Sequence, residues 1–275
     1  MVTGGTGFVG PYLERELSDA GWTSVLFEAP DGGLVDIRDA DAVDATVARI
    51  KPDAVIHLAA QSSVPRSFDD PRETFDVNLN GTLNLLMALR AHGFAGRFVF
   101  VGSGAVYGRV PSDALPVMET RAPAPNNPYA ASKVAAEALC YQWSQTEDFE
   151  VVCVRPFNHI GPGQSEHFAI ASFAKQIVEA KLGQREPTMD VGDIDVTRDF
   201  TDVRDVVRAY RLLLEGGESG EVYNVCSGDE HSLRALIEGM AERAGVSMDV
   251  RQDVERLRRA DQPRMVGDAS KLRAA

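Results

Sequence analysis

The chain of 275 residues alternates short apolar runs with longer amphipathic stretches, and this alternation constrains the fold more than any other feature. The short runs are rich in β-branched residues, as strands buried on both faces are; they span 25–27, 54–58, 98–101 and 151–154. The longer stretches carry apolar residues at three- and four-residue spacing; they span 11–20, 40–50, 74–92 and 128–145. This order predicts the α/β class with a Rossmann-like doubly wound parallel sheet.

Residue 155 marks a change in this rhythm. Beyond it come the turn Gly161-Pro162-Gly163, predicted helices at 168–181 and 232–244, and a strand pattern at 222–225 that is expected to return to the sheet. We therefore predict a dinucleotide-binding domain at 1–155 and a smaller, mainly substrate-binding lobe at 156–275. The cleft between two such lobes is a usual place for ligands.

Charge and cysteine content exclude several classes of function. Lys and Arg number 28 against 41 for Asp and Glu, a net charge of −13 that disfavours nucleic acid as a principal partner. Three widely spaced cysteines indicate neither a disulfide framework nor a metal site, and they favour the cytoplasm. No apolar run suggests a membrane span or a signal peptide.

Both ends of the chain are short for such a fold. Only three residues precede the first glycine of the N-terminal motif, and Ala275 falls where another helix is expected. We therefore expect segments to be missing at both ends.

A glycine-rich turn follows the first strand stub. Gly4, Gly7 and Gly10 would let the backbone approach a pyrophosphate at the N-terminus of the next helix, although a plain β-α turn explains the pattern equally well. Glu28 lies near the position of an acidic ribose ligand, which would disfavour a 2′-phosphate, but a solvated side chain fits as well. No arginine lies close to Glu28 in the sequence, so the choice between NADH and NADPH stays open. Asp36 is a candidate adenine ligand, with helix capping by Asp39 or Asp41 as the competing role nearby.

Tyr129 and Lys133 are four residues apart on a predicted helix and point to the same side. A lysine cation beside a tyrosine is expected to lower the phenol pKa, which suits proton transfer near neutral pH. Ser103 follows a buried strand at the sheet edge where ligands bind, so its hydroxyl is a candidate donor to a carbonyl oxygen. A surface tyrosine and a solvated lysine are the alternative.

Taken together, the segments TGGTGFVG, HLAAQSSV, NLNGTLNLL and YAASK, with Ser103, resemble the extended short-chain dehydrogenase/reductase family that acts on nucleotide sugars. The resemblance implies Ser103, Tyr129 and Lys133 as the catalytic set and NADPH or NADH as the cofactor. It implies that Asn78 supports the catalytic helix, for which helix capping is the alternative role. The cofactor contacts that it implies are Gly4, Gly7, Phe8, Val9, Gly10, Asp36, Ile37, Leu58, Ala59, Ala60, Tyr129, Lys133 and Pro156.

The segments RPFNHIGPGQ, VGDIDVTRDFTDV and VYNVCSG are similar to those of one subgroup, which reduces a GDP-linked keto sugar. Gly104 and Ala105 replace the acidic residues of the family's dehydratases, which argues against dehydration. A solvated basic helix face is the alternative for the arginines at 256, 258 and 259, and His159 is expected to be structural. The substrate contacts that the resemblance implies are Ser62, Ser103, Asn158, Arg198, Arg258 and Asp261.

The resemblance thus implies reduction of the C4 ketone of GDP-4-dehydro-6-deoxy-D-mannose to GDP-D-rhamnose by hydride from NADPH or NADH. Two alternatives stay open, a nucleotide-sugar 4-epimerase with tightly bound NAD and a non-catalytic dinucleotide-sensing protein. The predicted helices at 74–92 and 128–145 resemble those that pair between subunits in this family, so a homodimer or a dimer of dimers is expected.

Overall fold

The structure is a computed structural model that describes residues 1–253 and 262–275. The strands in chain order are β1 (Val2–Thr3), β2 (Ala54–His57), β3 (Arg97–Val101), β4 (Glu150–Pro156), β5 (Asn158–Ile160), β6 (Thr188–Val191), β7 (Thr197–Asp202), β8 (Val222–Val225), β9 (Glu230–Ser232), β10 (Asp249–Gln252) and β11 (Arg264–Met265). The helices are α1 (Gly10–Asp19), α2 (Ala40–Ile50), α3 (Val64–Asp69), α4 (Pro71–Phe75), α5 (Gly81–Ala91), α6 (Pro128–Thr146), α7 (Ala169–Lys181), α8 (Val203–Gly216), α9 (Leu233–Ala244) and α10 (Ser270–Ala274).

The main sheet is parallel and runs in the order β1-β2-β3-β4-β8. Helices α1 and α8 pack on one face, where Leu13 and Tyr210 are fully buried. On the other face, helices α2, α5 and α6 surround a core that includes Leu85 and Phe100. Because both faces are covered, the strands are mostly apolar, and the predicted α/β class with a Rossmann-like parallel sheet is confirmed.

Two predicted elements differ from those observed. Residues 25–27 form a single bridge, Val2 with Leu26, rather than a strand, because β1 offers only two residues for pairing. The predicted helix at 74–92 is α4 and α5 joined by the π-helical segment Asp76–Asn80, which contains Asn78. A π turn widens the helix by one residue per turn and often marks a functional position.

A smaller group of strands follows β4. Strand β7 pairs with β5, β9 and β11, and β6 pairs with β10. Helices α7 and α9 pack together over this second pair, around the buried residues Ile177, Met189 and Ile237. Strand β8 and helix α8 also come from the later part of the chain but belong to the main sheet and its cover. The helices of the described ranges are too short or too polar to cross a bilayer.

Candidate active site

The predicted site residues of the first half of the chain follow the carboxyl ends of neighbouring parallel strands. The glycine turn follows β1, Leu58 follows β2, Ser103 follows β3, and Pro156 ends β4. Parallel strands place these ends at one edge of the sheet, so the main chain itself gathers these positions.

The glycine turn is packed closely against its neighbours. Gly4 has a φ of +67°, and a Cβ there would lie 2.7 Å from the Ala59 nitrogen. A Cβ on Gly10 would lie 1.7 Å from the Gly5 carbonyl oxygen, so α1 approaches the turn only because residue 10 is glycine. Among the residues that the structure describes, none caps α1 with its side chain.

Two main-chain amides of this turn are available to an anion. Gly7 donates to the Gly4 carbonyl at 3.1 Å, and Gly10 donates to the Gly7 carbonyl at 3.2 Å. Within the described ranges, the amides of Phe8 and Val9 have no acceptor. Unsatisfied amides at the positive end of a helix dipole suit a pyrophosphate, so the residues present fit a dinucleotide.

The residues predicted to bind the adenosine part of the cofactor already contact other protein groups. Asp36 is exposed and forms a forked ion pair with Arg38, which lowers the pKa of the Asp36 carboxyl. The Ile37 side chain is buried against Gly81, and its carbonyl accepts from Asn84 Nδ2 at 3.0 Å, which leaves the main-chain amide of Ile37 for a ligand. Asp39 caps α2 by accepting from the Ala42 amide at 3.1 Å.

The structure corrects one expectation about Glu28. The Arg49 guanidinium, 21 residues further along, donates to the Glu28 carbonyl oxygen. An arginine therefore does lie beside Glu28, brought there by the packing of α2 rather than by proximity in the sequence.

Helix α6 positions Tyr129 and Lys133 at the same sheet edge. Asn127 caps this helix by accepting from the Ala130 amide at 2.8 Å, and Pro128 begins its first turn. Lys133 is buried, and its Nζ donates to the Val101 carbonyl at 2.8 Å, at the end of β3. Ser103 lies two residues beyond Val101, and its hydroxyl is near enough to Tyr129 to act on the pKa of the phenol. Sheet and helix thus bring Ser103, Tyr129 and Lys133 together.

The pKa of Tyr129 is raised, whereas the sequence predicted that it would be lowered. Burial raises the pKa of Tyr129, and the hydrogen bond of the Ser103 hydroxyl opposes only part of that rise. Lys133 directs its ammonium group to the Val101 carbonyl, and burial lowers the pKa of Lys133 to about 8. Tyr129 is therefore a protonated phenol at neutral pH.

The first of the two dehydratase acid positions is crowded. A Cβ on Gly104 would lie 3.0 Å from the Phe157 ring, so a side chain at residue 104 requires that ring to shift slightly. Ala105 is half-buried and carries no titratable group. An acid-base pair for water elimination is thus missing at these two positions.

The predicted substrate contacts are only partly brought together. Asn158 and Arg198 lie on the paired strands β5 and β7, and Asn158 Nδ2 donates to the Asp199 carbonyl at 3.2 Å. Arg198 donates to the carbonyls of Thr197 and Gln262, at 2.8 Å and 2.7 Å. Ser62 is exposed on the loop after β2. The predictions for Arg258 and Asp261, and for the alternative basic face at 256–259, fall outside the described residues.

Two further residues have supporting contacts. The His159 ring stacks on Phe8 of the glycine turn at 6.1 Å, and His159 Nδ1 donates to the Phe157 carbonyl at 3.2 Å. Asn78 does not cap a helix; its Nδ2 donates to Ser132 Oγ on α6 at 2.9 Å. The motif resemblance indicates Asn78, but the sequence has no signal for its partner Ser132, 54 residues away.

Comparison with known proteins agrees with this geometry. The chain is 50% identical over 272 residues to the GDP-6-deoxy-D-mannose reductase of Pseudomonas aeruginosa, which covers 99% of this chain and 88% of the relative. It is 35% identical to a UDP-glucose 4-epimerase of Mycolicibacterium smegmatis, over 89% of this chain and 82% of the relative. A solved structure, RMD from Pseudomonas aeruginosa complexed with NADPH, superimposes with a TM-score of 0.91 at 49% identity, over 100% of this chain and 90% of that chain.

The match to one family covers most of the chain. It spans residues 1–226, from the glycine turn through β8, and so includes Ser103, Tyr129 and Lys133. The chain belongs to the NAD dependent epimerase/dehydratase family.

Proposed function

We propose that this protein is a nucleotide-sugar oxidoreductase that reduces the C4 ketone of GDP-4-dehydro-6-deoxy-D-mannose to GDP-D-rhamnose with NADPH or NADH. One observation carries the proposal: Ser103, Tyr129 and Lys133 meet at the sheet edge beside the open glycine turn. The 50% identity to a GDP-6-deoxy-D-mannose reductase over nearly the whole chain supports this choice of substrate.

Reduction of a ketone requires one hydride and one proton. NADPH, when bound, supplies the hydride. Tyr129 donates the proton to the carbonyl oxygen, and burial keeps its phenol protonated at neutral pH for that role. Ser103 donates a hydrogen bond to the same oxygen as negative charge develops on it. The Lys133 ammonium stabilises the phenolate that Tyr129 leaves behind and holds the nicotinamide ribose.

In this proposal the glycine turn would hold the cofactor. The amides of Phe8 and Val9 would bind the pyrophosphate, and Asp36 with the Ile37 main-chain amide would bind the adenine. The remaining contacts follow the strand ends: Gly4, Gly7, Gly10, Leu58, Ala59, Ala60 and Pro156.

The GDP-sugar lies against the smaller lobe. Arg198 meets the diphosphate, while Asn158 and Ser62 meet hydroxyl groups or phosphate; charge-assisted bonds of about 1.5–3 kcal/mol each outweigh a screened repulsion from the net charge. Arg258 and Asp261, outside the described residues, stay predicted contacts. The cysteines of the chain are buried free thiols, which suits a reducing compartment such as the cytoplasm.

A 4-epimerase is the second candidate, because a UDP-glucose 4-epimerase is 35% identical. It would use the same three residues but retain NAD tightly. A dehydratase is disfavoured by Gly104 and Ala105, and a pure dinucleotide sensor would have no need of Ser103, Tyr129 and Lys133 together.

The decisive experiment mixes the protein with NADPH or NADH and with GDP-4-dehydro-6-deoxy-mannose that a separate dehydratase makes in place. We expect the near-ultraviolet absorbance of the reduced cofactor to fall and NMR to identify GDP-D-rhamnose. Tyr129→Phe is expected to lower kcat by about 10²–10⁴-fold while NADPH still binds. An unchanged rate in that variant would sink the mechanism, and non-dialysable NAD with no net reduction would favour the epimerase.

A further inference from the structure

His57 is a buried titratable side chain that the proposed reaction does not use. It ends β2, directly before Leu58, and is 1% exposed. Its Nδ1 lies 2.6 Å from Thr3 Oγ1 in β1, and its Nε2 lies 3.0 Å from Thr82 Oγ1 in α5. The imidazole therefore links the strand before the glycine turn to the helix after the π segment.

The surrounding hydrogen bonds permit only one protonation state of this ring. Thr82 Oγ1 already donates its single proton to the Asn78 carbonyl at 2.7 Å, so it accepts from His57 Nε2–H. The Nδ1 atom of the neutral ring is then an acceptor, and Thr3 Oγ1 donates to it. Thr3 Oγ1 also accepts from the Ala59 amide at 3.2 Å. The hydrogen-bond partners therefore fix the position of each proton on Thr3, His57 and Thr82, and His57 is the neutral Nε2–H tautomer.

A further series of hydrogen bonds connects Asn78 to Tyr129. Asn78 Oδ1 accepts from the Gln61 amide at 2.8 Å, and its Nδ2 donates to Ser132 Oγ at 2.9 Å. Ser132 Oγ donates to the Tyr129 carbonyl at 2.7 Å. Asn78 and Ser132 are both fully buried, so water does not compete for these bonds.

We infer that His57, held as its neutral Nε2–H tautomer, is a positioning residue that fixes the glycine turn and helix α6 relative to each other. Through Thr3 it holds the Ala59 segment against the turn, and through Thr82 and Asn78 it holds the start of α6. The inference rests on the proposed function for its effect on catalysis, because the distance between cofactor and Tyr129 is what it would set. The tautomer and the hydrogen bonds do not depend on that function.

The electrostatic surroundings favour the same state. Burial and the nearby Lys133 ammonium lower the pKa of His57 to about 3, so the ring is neutral across the physiological range. A second proton on Nδ1 would also displace the Thr3 hydroxyl proton from its acceptor.

Two substitutions separate the two hydrogen bonds of the ring. An asparagine places its amide group as many bonds from Cα as Nδ1, so His57→Asn keeps an acceptor for Thr3 and loses the donor to Thr82. A glutamine places its amide group as far as Nε2, so His57→Gln keeps the donor to Thr82 and loses the acceptor for Thr3. His92→Gln is the matched control, because His92 lies on the surface beside Asp44.

The first readouts need no substrate. Nitrogen NMR of histidine-labelled protein is expected to show one ring, absent in both His57 variants, that is protonated at Nε2 and not at Nδ1. Hydrogen exchange is expected to speed up by about tenfold at the Gln61 amide in His57→Asn and at the Ala59 amide in His57→Gln. His92→Gln is expected to change neither amide.

The two variants are also expected to differ in which constant they change, the Kd for NADPH or kcat. His57→Gln raises the Kd for NADPH by about tenfold with a smaller fall in kcat, whereas His57→Asn lowers kcat by about tenfold with a smaller rise in Kd. A ring protonated at Nδ1, or two variants that change both amides and both constants equally, would overturn the inference. A wild type that binds NADPH but reduces no GDP-sugar would refute the proposed function alone, since the tautomer and exchange results would stand.

Discussion

At the scale of single residues, Lys133 carries a positive charge in a place that water does not reach. Burial lowers the pKa of Lys133 to about 8, below the 10.5 of an exposed lysine. Below pH 8 both folded and unfolded chains carry the proton, so the folded state bears the full cost of burying the charge. Between pH 8 and 10.5 the unfolded chain binds more protons, and stability rises with pH.

Lys133→Met is therefore expected to stabilise the protein while abolishing its activity. The free energy of unfolding at pH 7 should rise by on the order of 1–3 kcal/mol, measured by urea titration, because the buried charge is gone. Lys181→Met, at the exposed end of α7, is the control and should stay within about 0.5 kcal/mol of wild type. A less stable Lys133→Met protein would mean that the hydrogen bond to the Val101 carbonyl outweighs the burial of charge.

His57 predicts a different pH dependence. Its pKa is lowered to about 3 by burial, against 6.5 for an exposed histidine, so the unfolded chain binds the extra proton between these values. Stability from this group is complete above pH 6.5 and is lost as pH falls toward 3. Compared with His57→Gln, the wild type should lose about 1.4 kcal/mol more per pH unit in urea titrations across this range. Equal slopes would show that the ring is not buried as a neutral group.

At the scale of elements, the approach of α1 to the glycine turn depends on the absence of one Cβ. Gly10→Ala forces a backbone shift, because its Cβ would lie 1.7 Å from the Gly5 carbonyl oxygen. We expect a loss of about 1–3 kcal/mol in thermal or urea unfolding and at least about tenfold weaker NADPH binding.

Gly239→Ala provides the helix control for that substitution. Gly239 lies inside α9, and a Cβ there would meet no atom within 4 Å. This variant should gain about 0.5–1 kcal/mol, because alanine is the better helix former, and should bind NADPH as wild type does. If Gly10→Ala still bound NADPH tightly, the pyrophosphate would not bind at the glycine turn.

At the scale of the whole molecule, the covering helices leave large apolar side chains exposed. Met87 on α5 is 47% exposed and Tyr141 on α6 is 55% exposed, on the two helices expected to pair between subunits. We expect light scattering after gel filtration to report a dimer, and the double variant Met87→Glu, Tyr141→Glu to report a monomer. Leu182→Glu, just beyond α7 and 63% exposed, is the control and should leave the oligomer intact. A monomeric wild type would refute the homodimer.

The sequence by itself determined the fold class, and it indicated the candidate site residues that remain predictions. Buried parallel strands and amphipathic helices leave local periodic patterns, so β3 and β4 were predicted to within two residues at each end and α2 matched the predicted range 40–50. Glycine spacing and the Tyr129–Lys133 pair are also local, because turn geometry and helical repeat bring their members together without help from the rest of the chain.

Only the tertiary structure decided features that depend on residues far apart in the sequence. Arg49 reaches Glu28, Phe157 crowds Gly104, and His57 joins Thr3 to Thr82 across long separations. The sequence predicted a lowered pKa for Tyr129, which was wrong, and it gave no direction for Lys133, because burial depends on everything packed around a group. A local pattern reports which face of an element is covered; it does not report which distant atoms cover it, and those atoms set the chemistry of the site.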